Sequence, residues 1–116
     1  MKNLQQELEA TIQYNQKQID EAKAKLAENF VYHFPWVGEE LYKLEYKQDH
    51  YKAILHDITE GVAMVKIIEH WTRQFKDYTS RSYNVRENST GSLFREASSW
   101  KFQVQMEMAE WLAEFK

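Results

Sequence analysis

Apolar residues return along the first quarter of this chain in alternating steps of four and three. Leu8, Ile12, Ile19, Ala22 and Leu26 make one helical stripe, with Asn15 as its polar member. A polar residue in such a seam fixes register at some cost in stability. Asn3 followed by Gln6 fits a capping box, and Glu7 and Glu9 put acids where the helix dipole favours them. The pattern predicts a helix from about residue 3 to about residue 32. It should end before Pro35, because the residue ahead of a proline avoids the helical region.

A second stripe runs through Leu41, Leu44, Gln48, Tyr51, Leu55, Ile58, Val62 and Val65, again with a single polar member, Gln48. It passes Gly61 in phase, then shifts to Ile68, Trp71 or Thr72, Phe75 and Tyr78. One helix over 39–78, bent near Gly61, fits this pattern, and two helices broken at Gly61 fit nearly as well. Residues 79–92 are polar and irregular, and read as a long loop of the functional or mobile kind. A last helix over 92–115, capped by Ser92 or Thr90, has Phe94, Ala97, Trp100 or Lys101, Val104, Met108, Trp111 or Leu112, and Phe115 on its apolar face.

The expected fold is all-α: an elongated antiparallel bundle of three long helices, or four if Gly61 breaks the second. At 1.5 Å per residue the three would measure about 45, 60 and 35 Å. The second outreaches its neighbours and leaves part of its seam uncovered, which predicts a homo-oligomer. The 116 residues are expected to form a single domain, long enough to bury a core without metal or disulfide.

The chain has no cysteine, which excludes disulfides, thiolate metal sites and thiol catalysis. No apolar stretch follows Lys2, so no secretory signal is read, and no window approaches the ~20 apolar residues that span a bilayer. A cytoplasmic protein without membrane contact is expected, and the Asn88-Ser89-Thr90 sequon carries no weight. The formal net charge is −3. It is unevenly placed: residues 1–65 hold 7 lysines and 11 acids, whereas residues 66–101 hold 7 basic and 4 acidic residues. All four arginines lie in the latter block, which points to an anionic partner for one face or simply to arginine used where the chain is least regular.

Catalytic and metal-binding patterns are missing. His50, His56 and His70 each stand beside an acid, but adjacent helical residues point about 100° apart and make no ligand pair. Neither the zincin spacing nor the Glu-x-x-His of a di-iron bundle occurs, and no glycine pattern fits a phosphate-cradling loop. No enzyme, metal or cofactor is expected.

Two surfaces remain. The run Phe30-Val31-Tyr32-His33-Phe34-Pro35-Trp36-Val37-Gly38 reads as an apolar hinge between the first two helices. Its aromatics either close the bundle end or form an interface centre, and Tyr32, Phe34, Trp36, Tyr42 and Tyr46 are the candidate contacts. Segment 73–95 offers Arg73, Arg81, Tyr83, Arg86 and Arg95 as candidate contacts to a partner's carboxylates or to phosphate oxygens. The expected function is therefore non-enzymatic binding of another protein by an inhibitor, immunity or adaptor protein. Size and composition are analogous to proteins of phage and bacterial conflict. The alternative is a binder of nucleotide or nucleic-acid phosphates through 73–95.

Overall fold

The computed structural model describes the backbone of residues 3–88 and 92–115, and the side chains of residues 3–76 and 96–115. Within that range the chain is all-α, with four helices: α1 (Leu4–Glu28), α2 (Phe30–Thr59), α3 (Met64–Asn88) and α4 (Ser92–Ala113). Packing divides it into two compact units, Met1–His56 and Asp57–Lys116.

The first unit is an antiparallel hairpin of α1 and most of α2. Asn3 opens α1 by accepting a hydrogen bond from the Gln6 N–H at 3.0 Å, as the capping pattern predicts. Leu4, Leu8, Asn15, Ile19 and Ala22 are buried on α1, and Val37, Gln48, Tyr51 and Ile54 on α2. The α1 stripe matches the seam read from sequence. On α2 the buried position is Ile54 rather than Leu55, a step of three from Tyr51 in place of four.

The two polar seam members meet. Asn15 Nδ2 donates to Gln48 Oε1 at 3.0 Å and to the Leu44 carbonyl at 2.9 Å. Gln48 Nε2 donates to the Ile12 carbonyl at 3.0 Å and to Gln16 Oε1 at 3.2 Å. These bonds fix the register of α1 against α2, since a shift by one turn would bury the same amides without partners.

The break between α1 and α2 corrects the sequence reading. It falls on one residue, Asn29, and not at 33–38. The Asn29 N–H closes α1 on the Lys25 carbonyl at 3.2 Å. Its side-chain Oδ1 accepts from the Tyr32 N–H at 3.0 Å, and its carbonyl from the His33 N–H at 3.0 Å. One extended residue, at φ −157° and ψ 95°, thus ends one helix and caps the next, a role asparagine fills well. Pro35 lies inside α2, as its sixth residue. Proline there deprives only the Val31 carbonyl of its helical partner, which is tolerable so near the N-terminus.

At the other end of α2, of the two sequence readings the broken helix holds. Gly61 sits at φ +84°. The Val62 N–H bonds the Asp57 carbonyl and the Gly61 N–H bonds the Ile58 carbonyl, both at 3.1 Å, which is the paired pattern of a Schellman ending. An unbroken seam does not reveal this, because glycine's left-handed freedom acts on the backbone and leaves side-chain spacing intact.

In the second unit α3 packs on α4. Ile67, Ile68, Thr72 and Phe75 are buried on α3, and Ser98, Val104, Gln105, Met108 and Leu112 on α4. Full burial of side chains such as Phe75 and Leu112 contributes about 1.5–3 kcal/mol each. Trp71 Nε1 donates to Asp57 Oδ2 at 2.7 Å, tying the last turn of α2 to α3. The loop expected over 79–92 is corrected too: the backbone stays helical through Asn88. Residues 79–88 contain neither glycine nor proline, and their serines and asparagines each disfavour helix by only about tenths of a kcal/mol. Residues 89–91, including Thr90, lie outside the described range.

Candidate interface at the start of α2

Because α2 begins at Phe30, the apolar run forms its first two turns rather than a hinge. A helix that is apolar on every side is normally buried. Here it is not: Val31 is 84% exposed, Trp36 78%, Tyr32 66%, Phe30 58% and Phe34 47%. Only Val37 of this run is buried.

Helical geometry explains the gradient. At about 100° per residue, Phe30 and Phe34 fall on the side of buried Val37, whereas Val31, Pro35, Tyr32 and Trp36 cover the opposite arc. The Phe30 and Phe34 rings stack with centroids 5.0 Å apart, and Tyr32 meets His33 edge-on at 5.0 Å. Gly38 makes room for this arrangement, since a Cβ there would lie 2.8 Å from Phe34 Cε2. The outward arc ends at a neutralised pair, with Lys43 Nζ 2.7 Å from Glu39 Oε2.

The sequence candidates separate accordingly. Tyr32, Phe34 and Trp36 lie together on this exposed segment. Tyr42 and Tyr46 are half-buried and stack on one another at 6.3 Å, and Tyr46 also packs on His50 at 4.7 Å. Phe30 and Val31 join the exposed set, although neither was among the candidate contacts read from sequence. The signal was Asn29, whose capping preference sets the helix start and hence the whole wheel.

Of the arginine candidates, Arg73 is exposed and reaches Glu69 at 3.4 Å, one turn away on α3. The side chains of Arg81, Tyr83, Arg86 and Arg95 lie outside the described range. A second apolar stretch is exposed at the α2–α3 connection: Gly61, Val62, Ala63, Met64 and Val65 in succession. Val62 and Val65 belong to the seam whose far end was expected to be uncovered.

Among the described residues no group of histidines and acids is placed to hold a metal ion. A cleft of about 290 Å³ on the first unit is lined by charges of both signs, with Lys23 and Glu45 paired at 2.9 Å across α1 and α2. The hydrogen bond that Lys23 donates to Glu45, and then the negative charge of that carboxylate, raise the Lys23 pKa above the ordinary 10.5. That pair is a surface tie between two helices and positions no reactive group. No described helix is long and apolar enough to cross a membrane.

No protein-family model, curated protein or solved structure matches this chain. The reading of its function therefore stands on its own residues.

Proposed function

We propose that this chain is a non-enzymatic helical binding protein of the inhibitor, immunity or adaptor type. It binds another protein through the exposed aromatic start of α2, and works as a homo-oligomer in the cytoplasm. The observation that carries this reading is the concentration of Phe30, Val31, Tyr32, Phe34 and Trp36 in two exposed turns. Tyrosine and tryptophan dominate the energetics of protein interfaces, because each brings a large apolar area at little cost in side-chain entropy. Exposed runs of this kind on a folded surface mark binding sites. The lack of any catalytic or metal-ligating spacing in the sequence supports the non-enzymatic part of the proposal.

The test is capture from the native cell with the full chain as bait, comparing wild type with Trp36→Ala and Tyr32→Ala. A partner retained by wild type and lost by both variants, at unchanged helix content, supports the interface. A partner retained equally by all three removes it. The phosphate-binding alternative rests on Arg73, Arg81, Tyr83, Arg86 and Arg95, of which Arg73 alone has a described side chain.

A further inference from the structure

Resting on that reading, we infer that the outward arc of α2, made of Val31, Tyr32, Pro35 and Trp36, pairs with the same arc of a second copy about a two-fold axis. Three observations lead there. The first is area. On the arc itself Tyr32 and Trp36, at about 150–250 Å² per aromatic side chain, expose together about 300 Å², and Val31 brings the total to about 400 Å². A standard interface takes about 800 Å² from each partner, so these three residues supply about half of it, and Pro35 and the rim supply the rest.

The second is charge. Residues 29–38 carry no lysine, arginine, aspartate or glutamate. Two identical arcs therefore meet without burying like charges, which is the usual obstacle to self-pairing of a surface. The nearest charges on the outward side, Glu39 and Lys43, are already bonded to one another at 2.7 Å. The third is shape. Tyr32 and Trp36 stand one turn apart on the same side, with Val31 and Pro35 beside them. The arc is a self-complementary ridge of two large rings flanked by smaller apolar groups, the arrangement that an isologous contact requires.

The absence of cysteine makes the geometry directly testable on the full chain. Val31→Cys is oxidised at micromolar concentration beside Tyr14→Cys, which places a thiol at an exposed position of α1. The pairing predicts disulfide-linked dimer from Val31→Cys at least about tenfold above Tyr14→Cys. It also predicts a sedimenting mass of twice 14.0 kDa for wild type. Trp36→Ala should raise the dimer dissociation constant about tenfold or more, as truncation of a central aromatic anchor does. Circular dichroism confirms that each variant remains folded.

A monomeric wild type, or a dimer that Trp36→Ala leaves intact, overturns the inference. Capture from the native cell separates this failure from that of the broader reading. A monomer that still loses its partner on Trp36→Ala keeps the interface and removes the second copy. A dimer linked through Val31→Cys whose captured partner ignores Trp36→Ala keeps the pairing and removes this segment as the site for another protein.

Discussion

Replacing Asn15 with leucine removes two hydrogen bonds, at 2.9 and 3.0 Å, and leaves Gln48 Oε1 in the hairpin without the Nδ2 donor of Asn15. Each net bond is worth about 0.5–1.5 kcal/mol, and a stranded buried acceptor adds about 1–3 kcal/mol. The leucine is nearly isosteric and returns about 1.5–3 kcal/mol through apolar burial. The single variant should therefore lose about 1–2 kcal/mol. Replacing both Asn15 and Gln48 with leucine removes donor and acceptor together. The Ile12 and Leu44 carbonyls keep their places in the helical ladders, and Gln16, which loses the Gln48 donor to its Oε1, is only half-buried and can turn that oxygen to water, so no buried orphan is made. The double variant should match or exceed wild type, and the two changes should couple by at least about 1 kcal/mol. Urea unfolding of all four proteins, followed by circular dichroism, gives the cycle. Additivity within about 0.5 kcal/mol would refute the reasoning, because it would mean that the two amides do not depend on one another. The double variant should also lose its single register, seen as multiple sets of α1 amide resonances.

Gly61→Ala places a Cβ in open space, with nothing within 4 Å, yet at φ +84°; it should cost about 1–2 kcal/mol in thermal or urea unfolding, from the backbone alone. Gly38→Ala should change stability by less than about 1 kcal/mol, since the helix propensity gained offsets the displaced Phe34 ring, while the Phe30 and Phe34 ring resonances shift. For the Lys23–Glu45 pair the sign follows from a raised lysine pKa. Its contribution is fully present below the ordinary 10.5 and is lost as pH rises through the higher folded value. A titration of Lys23 Nζ by NMR should show the raised value in wild type and its return to the ordinary value in Glu45→Gln.

Much of the fold was legible because it rests on side-chain spacing. Leu8, Ile19 and Ala22 share a face by periodicity alone, and the structure buries them. Asn15 and Gln48 stood out as polar members of apolar seams, although nothing local showed that they would meet, because pairing across helices depends on where the chain turns. The turn was misplaced because a proline is the louder signal. Pro35 reads as a helix end, yet what decides is its distance from the helix start, and Asn29 had already set that start. Gly61 was readable as a break only through its backbone angle, which side-chain spacing does not carry. Residues 79–88 read as a loop from polarity, yet they hold no glycine or proline to stop a helix, and the backbone stays helical through Asn88. The aromatic segment was legible as a candidate site and not as a helix. Its residue types pointed to an interface, whereas the division between Phe30 and Phe34 on one side and Val31, Tyr32 and Trp36 on the other needed the true start of α2.

The central claim is that the first two turns of α2 are covered when the protein is at work. Hydroxyl-radical footprinting tests it most directly, on the purified chain at high dilution and on the same chain in the assembly isolated from its native cell. The account predicts that oxidation of Tyr32 and Trp36 falls several-fold in the assembly while Tyr14, exposed on α1, stays as reactive as before. Equal oxidation of Tyr32 and Trp36 in both states would contradict it.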